Sequence, residues 1–247
     1  CANLLRTAGM GGEDPLALDL FAGVLADTGR KTIVYHESHD EAGNSEHSGR
    51  TLMVAIAAER GAEAPEGELR KVAEARCRFV TGMNMLSAGT PMFLMGEEVG
   101  AAKDFTYDGF LDNREDILGE RRTSGKLLFR FYSELIGLRR RHQALATPDI
   151  AILYVHNADR VLAFHRWKGP EHYIVAATLS NHGWPDGYDI PVPKISPGKW
   201  REIFSSDWQQ YGGQGVSNPD ELQPQGDQLK LRLPARGFVV VRHVPHS

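Results

Sequence analysis

Residues 37 to 41, Glu-Ser-His-Asp-Glu, place three carboxylates, a hydroxyl and an imidazole in five positions, directly after the apolar run Ile33-Val34-Tyr35. Fixed negative groups suit a reaction that passes through positive charge, because they stabilise a cationic transition state. Glycosyl transfer, with its oxocarbenium-like transition state, is one such reaction. A second pair of acids, Glu97 and Glu98, follows the apolar run Pro91 to Met95. If both runs are neighbouring strands, their acids border one pocket. A metal reading of His36, His39, Asp40 and Glu41 fits poorly: the H-E-x-x-H spacing is missing, and in a strand residues 36 and 39 face opposite sides. No metal is expected. On periodicity alone the cluster reads equally well as solvated turn residues or as caps of the next helix.

The elements that would carry these acids can be read from the hydrophobic pattern. Asp14 and Pro15 look like the N-cap and first position of a helix that runs to Gly29 with Leu16, Leu20 and Val24 on its apolar face. Residues 32 to 38 are β-branched and aromatic, and too short for anything but a buried strand. The alanine-rich segment from Glu68 to Ala88, with Leu69, Val72, Arg76, Phe79, Val80, Met83 and Leu86 in helical phase, predicts a long helix closed by Gly89. A second strand follows at 91 to 95. A third helix runs from Ser124, as N-cap, to His142, with Leu127, Leu128, Phe131, Leu135 and Leu138 inward and a basic last turn.

Helices alternating with short, continuously apolar strands predict an α/β arrangement with a parallel sheet for residues 1–146. From residue 147 the texture changes to closely spaced strands: IAILYVH, RVLAFHRW, HYIVAATLS, GYDIPV, KWREIF, LKLRL and GFVVVRH, an antiparallel β-sandwich over 147–247. Two parallel strands cannot make a self-sufficient parallel fold, so the first part reads as the tail of a longer (β/α)8 barrel. His142, His156, His165, His172 and His182 read as surface or satisfied core residues. Trp167, Trp184, Trp200 and Trp208 could stack on sugars, but packing is the commoner role.

The chain of 247 residues is 41% apolar and 24% charged with a net charge of −4, spread rather than blocked. That pattern gives no footprint for nucleic acid or for an anionic membrane surface. Cys1 and Cys77 are far apart and without C-x-x-C partners, which points to a reducing, cytoplasmic setting.

With the motifs in place, the chain resembles the α-amylase superfamily of glycoside hydrolases and transferases, and within it the bacterial 1,4-α-glucan branching enzymes. Glu37-Ser38-His39-Asp40-Glu41 is similar to the motif ending that family's seventh barrel strand. Residues 90 to 112 resemble its eighth strand and following loop, 129 to 145 its eighth helix, and 198 to 213 part of its C-terminal β domain. The resemblance implies a fragment running from the sixth helix to the eighth, followed by the β domain. It implies that Asp40 stabilises the transition state and that His39 hydrogen-bonds the same sugar. It also implies a retaining double displacement on a glycogen-like α-glucan, without metal, nucleotide or other cofactor, whose nucleophile and acid/base, about 5 Å apart, lie in the remainder of the parent barrel. The fragment alone is then expected to be inactive. Where branching enzymes continue Val-Val-His-Gly-Lys, this chain has Ala42-Gly43-Asn44-Ser45-Glu46 and a long loop to Pro65. A hydrolase of the same superfamily, or a non-catalytic α-glucan-binding protein, therefore stays open.

Overall fold

The computed structural model describes residues 1–29, 31–46, 48–56, 63–109, 111–195 and 197–245. Part of the expected loop from Ala42 to Pro65, namely residues 47 and 57–62, lies outside the described residues, as does Phe110 of the 90–112 stretch. The first half contains α1 (Ala2–Gly9), α2 (Leu18–Ala26), β1 (Ile33–Val34), α3 (Thr51–Val54), α4 (Gly67–Leu86), β2 (Thr90–Pro91), α5 (Ile117–Glu120) and α6 (Lys126–Arg141). β1 and β2 pair in parallel, Ile33 with Thr90 and Val34 with Pro91. Both strands are much shorter than the runs that predict them. Each has one ladder partner among the described residues; just past β2 the Met92 N–H still donates to the Val34 carbonyl at 2.9 Å, while the Met92 carbonyl accepts from the Asn84 amide at 2.8 Å. No closed barrel forms among the described residues.

Three helix boundaries differ from the pattern. α2 begins at Leu18 rather than Pro15, and its first turn is capped across the fold: Asn157 Oδ1 accepts from the Asp19 N–H at 3.1 Å, while Leu16 N–H donates to the Asn157 carbonyl at 3.0 Å. This docking sets the helix phase, so Leu16, Leu18, Ala22 and Leu25 are buried while Leu20 and Val24 are 71% and 67% exposed. α4 ends at Leu86 with Ser87 extended, so Gly89 is not its cap. Glycine is needed there because a Cβ would lie 2.6 Å from the Thr32 carbonyl oxygen of the neighbouring strand segment. α6 is preceded by Gly125, and Ser124 bonds Glu120 instead of capping. Leu69 and Leu127, placed inward by periodicity, are exposed.

The second half is antiparallel. β3 (Ile150–His156), β4 (Val161–Lys168), β5 (Glu171–Thr178), β7 (Gly198–Ser205) and β9 (Gly237–Pro245) form a sheet in the order β3-β4-β5-β9-β7, and β6 (Trp184–Pro191) pairs with β8 (Gln228–Leu233). Alternate residues divide the larger sheet between two cores. Leu162, Phe164, Val175, Ala177, Phe238 and Val240 join the helices, whereas Val161, Ala163, Ile174, Ala176, Val239 and Val241 meet Leu229, Leu231 and Leu233 of β8. Burial on both faces is why these antiparallel strands carry unbroken apolar runs. α4 lies directly on the sheet: Phe238 sits against Gly82, and its ring stacks on Phe204 and meets Phe131 edge-on.

Candidate functional site

The base of the acidic segment is buried. Beyond β1, Glu37 faces Arg50 with Oε1 2.9 Å from Nε, and its Oε2 accepts both the Thr51 N–H and the Thr51 hydroxyl at 2.6 Å. Arg50 also donates from Nη2 to the Met95 carbonyl at 2.9 Å, so one guanidinium ties the segment after β1 to the segment after β2. His36 Nε2 lies 2.6 Å from Glu97 Oε2, both side chains 1% exposed, and the Tyr132 hydroxyl donates to that same oxygen at 3.2 Å. Burial pushes the Glu37 carboxyl up, to about 7, against the pull of Arg50, with Glu97 pushing the same way. The Leu94 N–H donates to Glu97 Oε1, and the Gly96 N–H to Glu98 Oε2, each at 2.7 Å. The expectation that the acids at both strand ends border a common pocket is thus corrected. Glu37 and Glu97 hold the two segments together, and Glu98 caps a turn.

Above this base the chain turns sharply, and the groups with free access are different ones. Ser38 Oγ accepts from the Asp40 N–H at 3.2 Å, the Ala42 N–H donates to the Ser38 carbonyl, and the Asn44 N–H to the Asp40 carbonyl. The side chains of His39 and Asp40 project outward, 58% and 62% exposed, with His39 Nε2 3.7 Å from Asp40 Oδ1. The Tyr107 hydroxyl donates to Asp40 Oδ1, and the Tyr107 ring lies 5.7 Å from the His39 ring, centroid to centroid. Tyr107 comes from the loop after β2, so the two strand ends do converge, through a phenol rather than a second acid. The Asn44 amide ties the loops: Nδ2 donates to the carbonyls of His39 at 2.5 Å and Phe105 at 2.8 Å, and Oδ1 accepts the Tyr107 N–H at 2.8 Å.

His36 and His39 point to different places, one into the interior and one to the surface, so the two imidazoles do not share a ligand site. A cavity of about 320 Å³ adjoins the turn, lined by His36, Glu41, Ser45, Glu46, Thr51 and Arg6 among others; Asp40 and His39 stand outside it. Of the remaining histidines, His142 Nδ1 is 3.0 Å from the Tyr173 hydroxyl, and His165 Nε2 is 3.0 Å from His172 Nδ1. Trp200 is buried and Trp208 donates to Glu202 at 3.2 Å, so both are packing residues. Sequence reasoning missed Tyr107 and Asn44 as site residues. Tyr107 lies in a stretch marked for its resemblance and Asn44 in the stretch that departs from it, and their meeting depends on how two loops dock.

A carboxylate, an imidazole and a phenol presented together at a surface can hydrogen-bond the hydroxyls of a sugar, and the rings offer apolar faces. Residues 154–244 match the family described as Alpha amylase, C-terminal all-beta domain. The match covers most of the β half, which is similar to that C-terminal domain. The relatives it aligns with include a 1,4-alpha-glucan branching enzyme of Bradyrhizobium sp. strain ORS 278, 32% identical over 161 residues, 61% of this chain and 22% of that protein. Neopullulanase 2 of Thermoactinomyces vulgaris is 27% identical over 168 residues, 68% of this chain and 26% of that protein. The chain thus spans about a quarter of the length of these relatives. In fold it is similar to the debranching enzyme of Nostoc punctiforme, with a TM-score of 0.55 at 20% identity, covering 80% of this chain and 34% of that one.

Proposed function

We propose that this chain is the C-terminal part of a 1,4-α-glucan branching enzyme. Residues 1–146 are the last portion of a (β/α)8 barrel, from its sixth helix to its eighth, and residues 147–247 are the β domain. The enzyme cleaves an α-1,4 link and passes the released chain to a 6-hydroxyl with retention, in the cytoplasm, on a glycogen-like polymer. Asp40 stabilises the oxocarbenium-like transition state and His39 binds a hydroxyl of the same sugar, while nucleophile and acid/base come from the remainder of the parent barrel. The observation that carries the reading is the outward-facing His39–Asp40 pair at the end of β1, within Ser38-His39-Asp40-Glu41. The branching-enzyme relatives, 28–33% identical, support it.

The matches to neopullulanase 2 and to a cyclomaltodextrinase, 25% identical over 174 residues, favour a second reading, an α-glucan hydrolase. The intact gene product, incubated with amylose, separates the two. Branching creates 1,6 links and changes iodine staining without release of free sugar; hydrolysis releases sugar. In the same assay Asp40→Asn is expected to lower turnover about 100- to 1,000-fold, the usual cost of losing one transition-state partner. Unchanged turnover would remove Asp40 from the site.

A further inference from the structure

We infer that Tyr107 is a positioning residue for Asp40, and that the Asn44 amide holds it in place. The inference rests on the reading of Asp40 as the sugar-binding carboxylate and adds to it the group that decides which of its oxygens meets the ligand. The Tyr107 hydroxyl donates to Oδ1 of Asp40, whose side chain is exposed, which leaves Oδ2 to accept from a ligand. A carboxylate on an exposed turn rotates freely about its last bond unless a donor fixes it, and a fixed acceptor costs no reorganisation when charge develops beside it. Tyr107 also flanks the His39 ring, so the phenol borders both residues of the pair.

Tyr107 lies on an exposed loop and would wander without an anchor. Asn44 provides one, with three bonds from a single amide: two carbonyls, one on each loop, and the Tyr107 N–H itself. The loops approach closely enough for this because residue 43 is glycine at φ +146°, where a Cβ would lie 2.8 Å from the Asp104 Cβ and 3.0 Å from the Phe105 carbonyl oxygen. The Phe105 N–H completes the seam by donating to the Ala42 carbonyl at 2.9 Å. Ala42-Gly43-Asn44 is the stretch where the sequence departs from the branching-enzyme pattern. The departure is therefore the part that fastens the phenol to the acid. The phenol's own ionisation is pushed up by its bond to Asp40.

Two measurements test this. In the intact gene product, Tyr107→Phe keeps the ring and removes the donor; kcat is expected to fall about tenfold with KM within about twofold, the pattern of an interaction that matters in the transition state. In the same intact gene product, carbon-13 NMR of labelled tyrosines follows the phenol titration, with the Tyr107 signal assigned by its loss in Tyr107→Phe. Asn44→Ala is expected to bring that titration down toward the ordinary tyrosine range, as is Asp40→Asn. Full turnover in Tyr107→Phe beside an inactive Asp40→Asn overturns the positioning role and leaves the site reading standing. An unmoved titration in Asn44→Ala overturns the anchor. Full turnover in Asp40→Asn removes the site reading, and the inference with it.

Discussion

Replacing Gly82 with alanine offers a direct measure of how tightly α4 is set on the β sheet. A Cβ at that position would lie 2.7 Å from the Phe238 Cδ1 and closer still to the Cε1 and Cζ, where carbon pairs normally stay about 3.5 to 4.0 Å apart. The ring has nowhere to go. It is fully buried, stacked on Phe204 at 5.9 Å and met edge-on by Phe131 at 6.2 Å. Forcing a methyl into such a core costs about 1 to 3 kcal/mol, and the pinned ring puts this site at the upper end. Alanine in place of a helical glycine returns about 1 kcal/mol. The expected balance is a loss of about 2 kcal/mol, or about 4 to 8 °C in Tm for a chain of this size. Urea unfolding of Gly82→Ala, Phe238→Leu and the double variant would show it: the smaller side chain relieves the clash, so the two costs should not add. A Gly82→Ala chain as stable as the parent, or strictly additive costs, would refute the contact.

Two further outcomes follow from buried ionisable groups. Because burial raises the Glu37 carboxyl, the folded chain holds a proton between about pH 4.5 and 7 that the unfolded chain has shed. Its contribution to stability is therefore largest in acid and declines as pH rises through 7, so the stability of the parent relative to Glu37→Gln should fall across that window in urea titrations at fixed pH values. Cys77 is buried, with its thiol pushed up first by desolvation and then by Glu74, whereas Cys1 is exposed. A thiol-disulfide reagent should consume one equivalent in the folded chain and two in denaturant; rapid reaction of both thiols in the folded chain would mean that α4 opens.

The β half was legible because its signals are local. Each strand is bounded by a turn such as Asn157-Ala158-Asp159 or Lys168-Gly169-Pro170, and the strand limits fall within about three residues of the apolar runs. Three helices, α2, α4 and α6, were legible in place, whereas α1, α3 and α5 were not expected, and α2 was read out of phase. Leu20 and Val24 match a helical stripe as well as Leu18 and Ala22 do, and Asn157, distant in sequence, decides between them. At the site, the segment 37 to 41 could be picked out by composition, yet composition cannot tell a structural acid from an accessible one. Glu37 is consumed by Arg50 and Thr51, and Asp40, three positions on, faces outward. That difference arises from a turn pinned by Ser38 and from a partner loop about 60 residues away.

The arginines that join the two halves bond mostly to main-chain carbonyls. Arg166 donates to those of Leu86, Ser87, Thr147 and Asp149, Arg160 to that of Asp14, and Arg78 to that of Tyr211. A carbonyl is offered by whatever amino acid occupies the position, so these rivets tolerate almost any substitution on the receiving side. One surface of the joint can drift in sequence while its geometry is inherited unchanged. Helical cap and β module can thereby travel together through divergence that erases most of their side-chain identity.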